Sequence, residues 1–304
     1  MSHIAWACSR AFPLTPVGVV KRTRLVIRSL MSLKASVLWF EYVRQSQLRN
    51  YISCEPNLLE AVHRPFFDHR ICALERSHFL RSHFDSMAMH FSCELFQDVL
   101  LTRQVTLANL IGKNGEVFDV VLLREDAYKR EGGMSLGLSL NGKRLLCLTF
   151  SMVKLQHELL IKVGGLQASN EQGRSSIKQA TQALHGIQPR LLLIEALRTI
   201  AAAMQCQQIE CVALENHIHK AWRYRFKKTI HAEYDQLWEL AGGQRNLNGN
   251  FSIPLKLIER SIEDRPSNKR SEYRRRAAIL NEMRAQMTSA LSVPPYEGSL
   301  QLAA

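Results

Sequence analysis

From residue 103 the hydrophobic positions recur every second residue, which is the pattern of strands with one buried face. Val105, Leu107, Asn109 and Ile111 alternate with Thr106, Ala108 and Leu110. Asn114-Gly115 then predicts a type I′ hairpin turn, and 117–123 the return strand. A third strand has Met134, Leu136, Leu138 and Leu140 on one face and Ser135, Gly137 and Ser139 on the other. Asn141-Gly142 predicts a second hairpin into 144–152, and Leu159, Ile161 and Val163 mark a fifth strand. The pattern predicts an antiparallel meander of about five strands.

On both sides of this block the period lengthens to that of helices. Over 29–52, Val37, Phe40, Val43 and Leu48 sit near helical spacing, joined by Trp39, Tyr42 and Tyr51 and flanked by Arg44 and Arg49. Two readings stand: a core helix with its basic residues outward, or an aromatic helix lying on a membrane surface. A second helical region, 70–100, is preceded by His69 and carries His78, His83 and His90, without an HExxH motif or an i, i+4 ligand pair.

After the fifth strand, Gly164-Gly165 turns the chain. Ser169 or Asn170 can cap a helix, and Ser169-x-x-Gln172 fits a capping box. Ile177, Ala180, Thr181 and Leu184 make that helix's inner stripe, and His185-Gly186 ends it. Pro189 opens a second helix, apolar nearly all round to Met204 and interrupted by Glu195, Arg198 and Thr199. Residues 209–214 form a short strand; reached through helices, it can pair parallel with the fifth. A short helix over 232–240, an edge strand over 251–254 and a last helix with a Tyr273, Ala277, Leu280, Met287, Leu291 stripe complete the chain.

The fold class is therefore α+β: N-terminal helices, then a mainly antiparallel central sheet of about six to seven strands with flanking helices. The chain divides into a basic, disordered arm over 1–30, a helical region over 31–102, a mixed sheet and helix core over 103–258, and a basic C-terminal helix and tail over 259–304.

Composition changes this picture in three ways. The 304 residues are 46% hydrophobic and 22% charged, enough to bury a core. The net charge is +13, which favours anionic partners: nucleic acid, phospholipid or lipopolysaccharide headgroups, or phosphate-bearing cofactors. Nucleic acid rests on charge alone, because no helix-turn-helix or aromatic RNA-binding motif is present. Seven cysteines, an odd count with no CxxC pair, point to a reducing compartment. No run approaches the roughly 18 apolar residues of a membrane span, and Pro13 and Pro16 interrupt the apolar stretch at the N-terminus. The expected location is the cytoplasm, with a peripheral place at the inner membrane as the alternative.

The candidate chemistry clusters after the fifth strand. Arg174 and Lys178 share an outer helix face near its N-terminus. With Gly165, Gln167, Gln172 and Gly173 they make a candidate phosphate-binding corner. It is neither a Walker A loop nor GxGxxG, and the plain alternative is a strand-loop-helix with solvated cations. His217 follows the 209–214 strand at its C-terminal end, where ligands sit in α/β sheets, and is the candidate general base. Tyr224 and Tyr234 are the nearest phenols for donating a proton. Glu195 is a weaker catalytic candidate, since Arg198 at i+3 makes an ion pair the simpler reading. His217, His219 and Cys211 suggest no fourth ligand, and no metal site is predicted. Arg190, Lys269, Arg270, Arg274, Arg275 and Arg276 are candidates for holding an anionic partner; the last three lie in a helix's first turns, where the dipole disfavours cations.

These pieces resemble a bacterial family, the VirK/YbjX proteins. The resemblance rests on HRPF at 63–66, REGGMSLGL at 130–138, VGGLQ at 163–167 and HGIQPRLLLIEALR at 185–198. It rests also on ENHIH at 215–219, YDQLWELAGG at 234–243 and KRSEYRRRAAIL at 269–280, and covers roughly 37–284. Gly133, Ala168 and the Gln188-Pro189-Arg190 run depart from the family's usual residues. The resemblance implies a part in envelope remodelling, virulence, resistance to cationic antimicrobial peptides and lipid A-related phenotypes, and brings no established catalytic residues. The core resembles GNAT-type acetyltransferases, in which the loop after the fourth strand holds the pyrophosphate of an acyl-CoA. Here that loop is 167–174, although the helix from Pro189 is absent from the simplest version of that fold. The resemblance implies an acyl-CoA-dependent acyltransferase; the alternative is a non-catalytic basic protein on an anionic membrane surface.

Overall fold

The computed structural model describes residues 2–101, 104–168, 174–221, 234–257 and 261–292. Six helices come first: α1 (Ser2–Ala11), α2 (Pro16–Met31), α3 (Leu33–Gln45), α4 (Asn57–Glu60), α5 (Ala73–His90) and α6 (Cys93–Leu100). The expected disordered arm is thus two helices. Thr15 caps α2, its Oγ1 accepting the Gly18 N–H at 3.2 Å, and Pro16 opens the first turn. A narrow stripe (Ile4, Ala7, Ala11 and Leu25) is buried, and Arg22 Nε donates to the Phe12 carbonyl at 2.7 Å. The cations flank that stripe, so a basic composition did not mean an unfolded segment.

Of the two readings for the aromatic helix, the core reading fits. Trp39, Phe40 and Val43 of α3 are fully buried, and Trp39 Nε1 donates to the Leu58 carbonyl at 2.9 Å. No apolar face is left for a membrane on that side of α3.

The sheet follows: β1 (Val105–Ile111), β2 (Val117–Leu123), β3 (Met134–Leu140), β4 (Lys143–Leu155) and β5 (Glu158–Ala168). Two helices, α7 (Arg174–Ala183) and α8 (Pro189–Ala203), lead to β6 (Gln208–Cys211). Then come α9 (Tyr234–Leu240), β7 (Gln244–Arg245), β8 (Phe251–Ile253) and α10 (Ser267–Leu291). The strand order is β1-β2-β3-β4-β5-β6-β8-β7. The first five form the expected antiparallel meander, and β6 pairs parallel to β5. Among the described residues the sheet has eight strands rather than six or seven; the short β7 carries no periodicity to reveal it.

Turn chemistry separates the two hairpins. Asn141 (φ 48°) and Gly142 (φ 77°) both take positive φ, as a type I′ turn requires. At the β1–β2 turn Gly115 (φ 88°) does and Asn114 does not, and Gly112 N–H closes a longer loop onto the Glu116 carbonyl at 2.7 Å. The helix α5 covers one face of the sheet along β4, and α8 with α10 covers the other.

Two features of β5 position the site. Its register against β4 runs Thr149↔Gly165 and Phe150↔Val163, so Gly164 is bulged out. A Cβ on Gly164 would lie 1.7 Å from the Glu131 carbonyl oxygen, so glycine lets the loop between β2 and β3 cross here. The parallel pairing is also short. It spans Leu160–Val163 on β5 and Gln208–Cys211 on β6, and ends with Val212 N–H donating to the Val163 carbonyl at 2.9 Å. There β6 ends, while β5 runs on to Ala168 paired to β4 alone. The bulge leaves Lys162, Gly165 and Gln167 on one face, opposite Ser151, Thr149 and Cys147.

Candidate active site

Three segments meet where the pairing of β5 with β6 ends. The first holds Asp68, whose backbone bridges to His217, and Phe67, whose N–H donates to the Arg130 carbonyl at 2.8 Å. The second is the β2–β3 loop with Glu131. The third is the turn after β6, with Asn216, His217 and His219. Gln167 from β5 and Tyr234 at the start of α9 complete the cluster.

Glu131 is its centre. Gln167 Nε2 donates to Glu131 Oε1 at 3.1 Å and also to the Tyr234 hydroxyl. His217 Nε2 lies 3.7 Å and His219 Nε2 3.9 Å from the same carboxylate oxygen. The two imidazoles stack with centroids 4.8 Å apart, and the Tyr234 ring lies 5.2 Å from that of His217. Glu131, His217 and Tyr234 are buried, whereas the His219 side chain is 38% exposed, so His219 is the member that meets solvent. Gly165 makes room: a Cβ there would meet Glu131 Oε2 at 2.3 Å.

Burial sets the charges. It raises the Glu131 carboxyl above its ordinary range, partly offset by His219 and Gln167. It pushes His217 down to about 3, aided by the neighbouring His219, so that imidazole is neutral at pH 7. It also raises the Tyr234 phenol well above its usual value, with the Glu131 charge adding, so the hydroxyl keeps its proton. His217 Nδ1 accepts the His219 backbone N–H at 3.4 Å, which assigns the ring proton to Nε2, facing Glu131. With that tautomer the Nε2–H points toward Glu131 at 3.7 Å, beyond hydrogen-bond distance. Glu131 Oε2 and His217 Nε2 are buried without a hydrogen-bond partner.

A polar network braces the site from below. Lys162 Nζ lies 2.9 Å from Glu210 Oε2 across the parallel strands, and both side chains are buried. Asn250 Nδ2 donates to Glu210 Oε1 at 2.9 Å, and Asn250 Oδ1 accepts from Asn216 Nδ2 at 2.9 Å and from Ala213 N–H at 3.1 Å. Trp238 Nε1 donates to the Val212 carbonyl at 2.9 Å. These bonds fix the turn that carries His217 and His219.

Glu131, His217 and His219 each offer a donor atom within 4.8 Å of the others, the one such triple among the described residues that could hold a metal ion. The imidazole planes are only 12° from parallel, so their in-plane lone pairs do not converge on one point. Ligation would need one ring to turn.

The structure brings together four of the expected site residues: Gly165, Gln167, His217 and Tyr234. Gln172, Gly173 and Tyr224 lie outside the described residues. Arg174 opens α7, and Lys178 is exposed on the same helix. Arg190, at the start of α8, is near enough for its charge to act on Tyr234. Glu195 belongs elsewhere: it pairs with Arg198 on α8, and its Oε2 lies 2.9 Å from Arg284 Nη2 of α10. Arg198 in turn donates to the Ala241 and Pro254 carbonyls at 2.6 and 2.8 Å, which makes the Glu195–Arg198 pair a structural tie. Lys269, Arg274 and Arg275 are exposed on α10, which packs on α8 and on β1 at the other edge of the sheet. Arg270 donates to the Arg265 and Glu263 carbonyls, and Arg276 to the His185 carbonyl at 2.6 Å, so both are engaged within the fold. Sequence reasoning missed Glu131 as the hub and His219 as its solvent-facing partner. The signal was Glu131-Gly132-Gly133, an acid before two glycines that permit close backbone approach.

Comparison with known proteins finds one family over most of the chain: the profile described as "Protein of unknown function (DUF535)" matches residues 18–289. The Escherichia coli (strain K12) "Uncharacterized protein YbjX" is 32% identical over 272 residues, 88% of this chain and 82% of the relative. Two "Uncharacterized protein" chains of Haemophilus influenzae match at 29% over 154 residues and 28% over 173 residues. Those two matches cover 50% and 56% of this chain, and 51% and 57% of the relatives. No solved structure matches.

Proposed function

The chain belongs to the DUF535 family as a relative of YbjX, and from that premise we propose that it is an acyl-CoA-dependent acyltransferase with a GNAT-like core. The observation that carries the proposal is that the parallel pairing of β5 with β6 ends at Val163 and Cys211 while β5 runs on. A strand order with a short parallel pair followed by a helix N-terminus resembles the GNAT arrangement. The acyl-CoA then meets β5 at its accessible end, Gln167 and Ala168. The pyrophosphate sits at the start of α7, beside Arg174 and Lys178, where a helix N-terminus favours anions.

The residues around Glu131 supply the proton transfers. An acceptor amine attacks the thioester carbonyl carbon, and its proton passes to His219, whose imidazolium Glu131 stabilises. The C–S bond breaks, and the departing thiolate takes the proton of the Tyr234 hydroxyl, which burial keeps protonated until then. The His219 imidazolium then gives up its proton and the Tyr234 phenolate takes one back, which restores both groups. Gln167 holds Glu131 and Tyr234 in line. The His217 ring stacks against His219 and backs it from the buried side. The envelope phenotypes implied by the VirK/YbjX resemblance favour an amine of an envelope component as the acceptor.

The test follows free CoA thiol released from a panel of short and long acyl-CoA thioesters in the presence of amine acceptors. The reading expects release that falls on Glu131→Gln and on Arg174→Glu. Absence of release with every thioester, together with unaltered cellular function of Arg174→Glu, would sink it.

A further inference from the structure

The helix α2 turns its apolar side outward. Gly18, Leu25 and Ser29 face the protein and are buried. At 100° per residue the opposite arc holds Val19, Val20, Ile27, Leu30 and Met31, all exposed, with Val20 at 67% and Met31 at 82%. Leu14 and Val17 before them and Leu33 after them are exposed as well. Single exposed apolar side chains are ordinary; five on one arc of a helix, with Thr23 the polar position among them, mark a docking surface. One side of the row borders an open groove of about 720 Å³ lined by Val20, Ile27, Met31, His63, Ala73 and Arg76.

The charge around the row selects the occupant. The sequence has no Asp or Glu before Glu41, while Arg10, Lys21, Arg22, Arg24, Arg28 and Lys34 fall within that span. Around α2 the cations sit at the flanks of the apolar arc. Arg24 pairs with Glu60, and the Lys21 ammonium lies over the Phe12 ring at 5.2 Å, close to the surface. A second copy of the chain would bring the same cations against themselves. A bilayer with anionic headgroups matches both features, receiving the apolar row below its headgroups and the cations among them.

We infer that α2 docks the protein in the plane of an anionic lipid bilayer, with Val19, Val20, Ile27, Leu30 and Met31 inserted. This inference stands independently of the acyl-transfer reading. The full-length chain is floated with phosphatidylcholine vesicles prepared with and without phosphatidylglycerol, across a salt series. The expected result is binding to the phosphatidylglycerol vesicles that weakens with salt. Val20→Glu with Leu30→Glu lowers it by about tenfold or more, since two apolar insertions are lost and two anions added. Both positions are exposed, and circular dichroism checks that the double variant folds. Arg274→Glu with Arg275→Glu on α10 retains the binding. The inference is overturned by no binding to the anionic vesicles at low salt. It is equally overturned by binding that survives the α2 variant but is lost with the α10 variant, or by a dimer in light scattering that the α2 variant dissociates.

Discussion

Gln167 and Glu131 are joined by a 3.1 Å hydrogen bond that ties the free end of β5 to the loop between β2 and β3. The carboxylate so held is buried, and burial raises its proton affinity. A carboxyl whose folded pKa is raised binds more protons in the folded state, so its charged form subtracts stability as pH rises from 4.5 through the folded pKa. Glu131→Gln keeps an acceptor for Gln167 and removes that charge. The variant is expected to melt at a higher temperature than the parent at pH 7, with the difference vanishing below pH 4.5, while acyl transfer is lost. Thermal melts across pH with a thiol-release assay check both halves; a Glu131→Gln protein that is destabilised at pH 7 contradicts the electrostatic account.

The Lys162–Glu210 pair crosses the one parallel strand pairing while buried on both sides. Removing one partner leaves an uncompensated buried charge, at a cost of about 3–5 kcal/mol. Lys162→Met and Glu210→Leu are each expected to lose stability in that range in urea unfolding, and the double variant to lose much less than their sum. Additive losses would mean that the two charges act separately.

Three buried histidines make the fold acid-sensitive. Burial pushes His63 down to about 4 and His83 and His217 to about 3, against an ordinary value of 6.5. Below pH 6.5 the unfolded chain takes up protons that the folded chain refuses, so stability falls with pH from 6.5 down to about 4 for His63 and about 3 for His83 and His217. Each histidine contributes up to about 1.4 kcal/mol per pH unit, and Glu131 opposes part of the loss. His83→Gln should flatten the slope of unfolding free energy against pH by roughly one histidine's share. A slope unchanged by this substitution contradicts the assignment.

Gly164 is held open by the Glu131 carbonyl. Gly164→Ala forces that backbone apart and is expected to cost about 3 kcal/mol, at the upper end of overpacking. Gly115→Ala, with positive φ and nothing within 4 Å of its Cβ, should cost about 1 kcal/mol. Equilibrium unfolding of the two variants compares them directly, and equal losses would remove the steric argument for the bulge.

Much of the sheet was legible because large apolar side chains alternate with Ser and Gly along Met134–Leu140, a period of two that survives although both faces are buried. The parallel partner of β5 was legible too, since two helices separate it from that strand. The first 30 residues misled because their buried stripe is narrow and their remaining apolar side chains point outward, so no helical period with a polar reverse face stands out. The site was half legible. His217 and Tyr234 announced themselves by type and position. Glu131 did not, because its role depends on a loop crossing a bulge in a strand some 30 residues later, and no local pattern encodes that crossing.

The central claim is that an acyl-CoA binds at the end of β5 beyond its pairing with β6, and isothermal titration calorimetry of the purified chain with acyl-CoA thioesters tests it most directly. The account predicts saturable binding at one site per chain, weakened by Arg174→Glu and unaffected by Arg274→Glu. No heat with short or long acyl-CoA, or binding that Arg274→Glu weakens and Arg174→Glu leaves unchanged, would contradict it.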